Sequence, residues 1–480
     1  MPRIAALIAG PAMGVVLWTL CEPARGADGL PVAGSPFSPQ GAIVMGLLAW
    51  MAIWWATQAV ELGVTALLPV VFLPLLGVAS VEKTLSPFAN DLIFLFGGGC
   101  IIGLAIERHG LGERLLHWVL AKIGRSPGRV IVAFLIVTAS ISAWVSNTAT
   151  TLMMLPLAMA ALALYSRGID RNGHHGRALA NFEKGVLLSV CYGATIGGVI
   201  TLLGSAPNPI AAEWIRASGG SMSFLRWSSV ALPIAVLMMA VAVVVFRVML
   251  PTRGLPVPSH DPAARDPVPM TRAAWVTIAV FALAVVGWIG GPFVKEAWPA
   301  IQIRDGLVGI VAAMLLLTIP AAKGSATAVV PWSKLERVPW GVFIVFGGGL
   351  SLADAMQATG VSKTVAMWVA GMGSVPEIVA IGAVVAALVF SSEIASNTAL
   401  TATAVPIVGA VAPGLGVGSD TLVVAAAMGA SLAFMLPVGT PPNALVYATG
   451  RVGVRDMLRV GLVLNIASII ISTIVCRFLL

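Results

Sequence analysis

Ser146-Asn147-Thr148 and Ser396-Asn397-Thr398 are one polar triplet written twice, 250 positions apart, each inside an apolar stretch. Each is followed by a glycine-led break in a further hydrophobic segment: Gly204-Ser205-Ala206-Pro207-Asn208, then Gly439-Thr440-Pro441-Pro442-Asn443. Polar, helix-breaking clusters at membrane depth are costly unless they line a cavity or meet a ligand. Placed in corresponding positions of two halves, they point to a transporter binding site.

The rest of the chain agrees with a membrane setting. Of 480 residues, 58% are hydrophobic and only 10% charged, and mean hydropathy is +0.97. Soluble domains carry roughly 25% charged residues. Many runs approach the roughly 20 apolar residues that span a bilayer as a helix, and the short alternating segments of a barrel are missing. The net charge of +8 comes with no basic run to hold nucleic acid; it fits cytoplasmic loops enriched in Lys and Arg. Cys21, Cys100, Cys191 and Cys476 are scattered, without metal or disulfide spacing, and read as buried thiols.

In chain order, residues 4–21 read as a retained first helix in preference to a cleaved signal peptide, followed by an external loop to residue 40. Spans are expected near 41–60, 63–79 and 91–107. An amphipathic surface helix is expected over 108–129. Residues 130–164 read as a re-entrant hairpin interrupted at Ser146, and the His174-His175 pair lies in a polar, solvated loop. A span broken at 204–209 and another near 227–250 complete a first repeat, 41–250. The proline-rich stretch 251–272 is an extended linker between halves. The second repeat, 273–480, gives spans near 273–291, 305–321 and 341–358, and an interfacial stretch at 360–374. A hairpin at 377–412, a broken span at 421–448 and a last span at 457–478 follow.

The register supports repetition. Phe96-Gly97-Gly98-Gly99 recurs as Phe346-Gly347-Gly348-Gly349 at the same offset of 250. With the N-terminus inside, this topology has eleven spans and two hairpins, and 20 of the 28 Lys and Arg residues fall on the cytoplasmic side. Five spans per repeat after the first helix make the repeat inverted. The expected fold is an all-α polytopic membrane protein.

A hairpin tip at membrane depth leaves N–H groups free at one helix start and C=O groups free at another helix end. The first attract anions and the second cations. Ser, Asn and Thr add groups that donate to a carboxylate or ligate Na⁺ through oxygen. No Lys or Arg lies nearer in sequence to Ser146 than Arg129 or to Ser396 than Lys363, so sodium ions would supply the counter-charge for a compact dianion.

On these motifs the chain resembles the divalent anion–sodium symporters, which carry dicarboxylates, citrate or sulfate. The resemblance spans nearly the whole chain and is densest from Ala430 to Val446, the family's signature stretch. It implies an elevator-type transporter with a dimerising scaffold in the inner membrane. By motif match it implies one sodium site at Ser142, Ser146, Asn147 and Gly204, and a second at Ser392, Ala395, Asn397 and Gly439. Substrate would meet Asn147, Thr148, Ser205, Asn397, Thr398, Thr440 and Pro441. The chain departs from the family at its first break, where Ala206 keeps a backbone N–H that proline would lack and Ser205 lacks a methyl group. Glu393 reads as a carboxylate satisfied by local N–H groups in preference to a proton-coupling group.

The expected function is sodium-coupled symport of a C4-dicarboxylate. The alternatives are di- or tricarboxylate exchange, sodium–sulfate symport and, from another class, an integral-membrane enzyme. An exchanger would carry a basic side chain where sodium sits. An enzyme would need a nucleophile–base set or a metal motif, and neither HExxH nor a partnered GxSxG occurs.

Overall fold

The computed structural model describes the chain apart from residues 1, 24–35, 168, 171, 172, 174, 259–269, 299, 301, 302 and 372–374. His174, most of the external loop, the middle of the proline-rich linker and the end of the 360–374 stretch therefore lie outside the described residues. Among the described residues no β-strand forms, and a single bridge joins Pro320 to Ala328.

The first half runs α1 Pro2–Cys21, α2 Pro39–Thr57, α3 Leu62–Ala66, α4 Leu68–Leu75, α5 Val81–Leu85, α6 Asp91–Arg108 and α7 Leu111–Ile123. It continues with α8 Pro127–Ser142, α9 Asn147–Tyr165, α10 Gly176–Gly198, α11 Pro207–Ala217 and α12 Phe224–Met249. The second half has α13 Arg272–Ala297, α14 Asp305–Thr318, α15 Trp340–Ala358, α16 Val361–Ala370, α17 Glu377–Ser392, α18 Asn397–Val411, α19 Ser419–Ser431, α20 Pro441–Tyr447 and α21 Val454–Leu479. Starts are written locally: Ser38 Oγ accepts from Gly41 N–H at 3.0 Å with Pro39 in the first turn, and Thr271 Oγ1 accepts from Ala274 N–H at 3.1 Å.

Nine helices among the described residues are long and apolar enough to cross a membrane. They are not eleven full-length spans. The expected span 63–79 is two short helices, α3 and α4, broken at Leu67 ahead of Pro69 and stopped at Gly77. The expected span 305–321 is only the 14 residues of α14. The surface helix is shorter than 108–129 because Gly110 and Gly124, both at positive φ, bracket α7, while Pro127 already starts α8. Both breaks begin earlier than expected: α10 ends at Gly198 and α19 at Ser431. Both hairpins form, α8–α9 turning at 143–146 and α17–α18 at 393–396. The four cysteines are free; Cys191 and Cys476 are buried, Cys21 and Cys100 only half so.

Packing repeats between halves. Helix α8 lies on α10 as α17 lies on α19, and α9 meets α10 as α18 meets α19. The short helices after the breaks are exchanged: α11 packs on α18 and α19, and α20 on α9 and α10. Lipid offers no hydrophobic drive for helix association, so close backbone approach matters. A Cβ on Gly197 of α10 would come 2.1 Å from the Ala139 carbonyl oxygen of α8. A second set, α1 on α2, α6 on α14 and α13, and α15 on α2 and α3, meets this bundle where α2 and α15 pack on α18 and α15 on α11.

Candidate functional site

Both triplets and both breaks line one cavity of about 870 Å³. Ser146, Asn147 and Thr148 enter it from the start of α9, Ser396, Asn397 and Thr398 from α18, Pro207 from α11, and Pro441 and Pro442 from α20. Four helix N-termini thus converge on one space, each bringing the positive end of a helix dipole, while α11 and α20 open on prolines that carry no N–H. Among the lining residues the only charged ones are Glu107 and Arg337, and these pair with each other at 2.7 Å. Attraction for an anion therefore comes chiefly from backbone and from neutral Ser, Thr and Asn groups.

In the first half Asn147 and Gly204 of this wall meet Ser142 behind it. The inward end of the Asn147 amide lies 2.8 Å from Ser142 Oγ, 3.0 Å from the Ala194 carbonyl and 3.2 Å from the Gly204 carbonyl. Three acceptors facing one amide end suit two occupants: the amide nitrogen itself, or a hard cation held among oxygens. Ser142 Oγ also donates to the Ala194 carbonyl at 2.8 Å. A Cβ on Gly198 would fall 2.1 Å from Asn147 Oδ1, so glycine there lets the side chain enter. Ser146 caps α9, its Oγ accepting from Ala149 N–H at 3.4 Å.

The corresponding residues of the second half make different contacts. Asn397 Oδ1 is buried and has no hydrogen-bond partner, while Ser392 Oγ donates to the Val389 carbonyl at 2.9 Å. Thr401 Oγ1 donates to the Asn397 carbonyl at 2.8 Å, as Thr151 does to Asn147. Thr440 Oγ1 caps α20 by accepting from Asn443 N–H at 3.3 Å; Ala206, at the start of α11, has only a methyl group and makes no side-chain cap. Glu393, buried, is fully engaged. Its Oε1 accepts from the N–H of Phe434 and Met435 and from Asn465 Nδ2, and its Oε2 from the N–H of Leu436, each at 2.8 Å. That is the satisfied-carboxylate arrangement, and it pins the second break to the second hairpin.

Of the residues singled out from the sequence, Ser146, Asn147, Thr148, Gly204, Ser205, Ala395, Asn397, Thr398, Gly439, Thr440 and Pro441 line the cavity. Ser142 and Ser392 do not; they are buried behind it. Gln58, Phe96, Glu107 and Arg337 also line it and were not among the residues singled out as site residues. The Phe96 landmark was visible as a repeat, but nothing local tells a lining phenylalanine from a packed one.

A family model described as the sodium:sulfate symporter transmembrane region matches residues 30–479. The chain is 32% identical to the "Sodium-dependent dicarboxylate transporter SdcS" of Staphylococcus saprophyticus, covering 99% of this chain and 91% of that protein. It is 31% identical to the protein of the same name from Staphylococcus aureus strain bovine RF122 / ET3-1, over 92% and 86% of the two chains. In fold it is similar to the YdaH transporter of Alcanivorax borkumensis, with TM-score 0.58 and 12% identity over 99% of this chain and 97% of that one. MtrF of Neisseria gonorrhoeae, from a class of antimetabolite efflux pumps, gives TM-score 0.56 and 12% identity over 100% and 95%. With a cavity walled by two triplets and two breaks, and a family match over nearly its whole length, the chain is an integral multi-pass membrane transporter and belongs to the sodium:sulfate symporter family.

Proposed function

We propose that the chain is a sodium-coupled symporter of divalent anions, with C4-dicarboxylates such as succinate as substrates, working by an elevator mechanism. The observation that carries this reading is the convergence of four helix N-termini on a cavity whose only basic side chain, Arg337, is already paired. A dianion held by dipoles and neutral donors needs counter-charge, and the oxygens gathered around Asn147, with the unpartnered Asn397 oxygen in the second half, suit sodium. The relatives named as sodium-dependent dicarboxylate transporters support both halves of the reading. Sodium would be held by Ser142, Ser146, Asn147 and Gly204 at one site and by Ser392, Ala395, Asn397 and Gly439 at the other. The anion would be held by Asn147, Thr148, Ser205, Asn397, Thr398, Thr440 and Pro441.

The moving body is α8–α12 with α17–α21, an inverted repeat; α1–α6 with α13–α15 form a scaffold that dimerises in the inner membrane. The N-terminus lies in the cytoplasm. The basic-loop asymmetry then puts the Glu107–Arg337 edge of the cavity on the cytoplasmic side, an inward-facing arrangement. Uptake of radiolabelled succinate into proteoliposomes tests the reading. Replacing sodium by choline on both faces is expected to abolish uptake, and sulfate in excess to compete weakly. Uptake that persists in choline points to exchange, and inhibition by sulfate but not by malate points to a sulfate carrier.

A further inference from the structure

The two asparagines that end the breaks are outside the cavity wall, yet each closes the same chain of three residues joined by two hydrogen bonds. In the first half, the Ala143 carbonyl at the hairpin turn accepts from Thr201 Oγ1 in the break. The Thr201 carbonyl in turn accepts from Asn208 Nδ2 at 2.6 Å, and the same amide donates to the Gly198 carbonyl at 2.8 Å, the last of α10. In the second half, Glu393 at the hairpin turn accepts from Leu436 N–H in the break, and the Leu436 carbonyl accepts from Asn443 Nδ2 at 3.1 Å. Glu393 stands 250 positions after Ala143, the offset of the triplets. Leu436 and Asn443 stand 235 positions after Thr201 and Asn208, the offset of Gly204 and Gly439. The chemistry of the first link differs between halves, but its place does not.

Both asparagines are fully buried, and in both the Oδ1 has no hydrogen-bond partner. An orphaned buried carbonyl costs about 1–3 kcal/mol, so a residue serving packing alone would be better apolar. What the amide does on each side is hold carbonyls. Leu436, held by Asn443, also accepts from the N–H of Gly439 at 3.1 Å. Gly198, held by Asn208, lies against Gly204, whose Cβ would come 2.6 Å from the Gly198 carbonyl oxygen. Both chains therefore end on the glycine that leads the break, and in the first half the carbonyl of that glycine lies 3.2 Å from the Asn147 amide.

We propose that Asn208 and Asn443 are positioning residues for the two sodium sites. Each fixes the distance between break and hairpin so that the Gly204 or Gly439 oxygen is already in place when the ion arrives. This rests on the sodium-symport reading above. Without the amide, the break relaxes and the ion must pull it back, so sodium affinity falls while the anion contacts, once sodium is bound, are unchanged.

The test is thermal unfolding of the full-length protein in detergent, titrated with sodium chloride against choline chloride, since an ion that binds the folded state raises stability with its own midpoint. Asn208→Leu, near-isosteric and uncharged, is expected to raise that sodium midpoint about ten- to thirtyfold, as for one to two lost hydrogen bonds. Asn443→Leu, losing one carbonyl contact, is expected to raise it about fivefold. Asn208→Ser, which keeps one donor, should recover part of the shift. In proteoliposomes, high sodium should restore the maximal rate of the variants, with KM for succinate at saturating sodium within about twofold of the unchanged protein. A purely structural role would lower the melting temperature equally in sodium and choline and leave the midpoint alone, and that result overturns the proposal. If Asn208→Leu does not fold, Asn443→Leu and Asn208→Ser decide by the same midpoint. A parent protein that shows no sodium midpoint instead removes the symport reading itself.

Discussion

Thr398 and Asn397 are neighbours at the start of α18, but they face the site with different atoms. Thr398 offers a hydroxyl to the cavity, whereas Asn397 carries a buried, unpartnered oxygen as well. Thr398→Ala is expected to weaken dicarboxylate binding about ten- to hundredfold, the loss of one hydrogen bond to a charged ligand, with sodium affinity measured without substrate unchanged. Asn397→Ala should lower both, because coupled sites must share a loss. Binding in detergent at graded sodium separates them; equal sodium shifts in the two variants would sink the division of roles. Glu393 is a stability residue by its geometry. Glu393→Gln turns one of two fully engaged acceptors into a donor facing an N–H group, at a cost of about 2–4 kcal/mol, read as a lower melting temperature in sodium and choline alike.

At the scale of elements, the transport site depends on helices stopped early and hairpins held close. The triplets open α9 and α18, while the breaks interrupt α10–α11 and α19–α20, so the triplet and break groups that line the cavity sit at or beside helix ends. Hairpin and broken span approach to backbone contact, and the Gly197 crossing on Ala139 leaves no room for a methyl group. Gly197→Ala is therefore expected to push α10 off α8 and cost about 2–4 kcal/mol, with loss of sodium-dependent stabilisation because Ala194 and Gly204 move with α10. A variant that melts and titrates like the parent would show that the crossing gives way freely.

Across the whole molecule, a cluster of ionic side chains gathers at the start of α6, the end opposite Glu107. Arg216 of α11 pairs with Asp91 of α6 at 3.2 Å and with Asp305 of α14 at 2.8 Å, and Asn90 donates to Glu213 beside it. Asp305 also accepts from Phe224 N–H at 3.0 Å. If α11 travels with the transport bundle, these bonds must break on the way to the opposite-facing state. Arg216→Gln should then favour that state by about 1–2 kcal/mol, roughly five- to thirtyfold in the ratio of states. Cysteines at positions 148 and 398 would report it, with faster labelling from the outer face. Labelling rates unchanged on both faces would mean that the ionic cluster serves folding and not the cycle.

Much of this was legible in the chain itself. Hydropathy, the duplicated triplets and the glycine-led breaks are local facts, and a bilayer makes them decisive because free backbone groups are tolerated there only around a cavity. Those features alone determined the all-helical class, the two hairpins and the triplet and break residues that line the cavity. Helix lengths were less legible, since Pro69, Gly77, Gly110 and Gly124 punctuate apolar runs that hydropathy averages over. Only the tertiary structure decided that both triplets and both breaks share one cavity, that Glu393 serves amides 41 to 43 positions on, and that Arg216 joins α6 to α14. The reason is physical: such contacts join groups far apart in sequence, and only packing selects which buried polar groups meet.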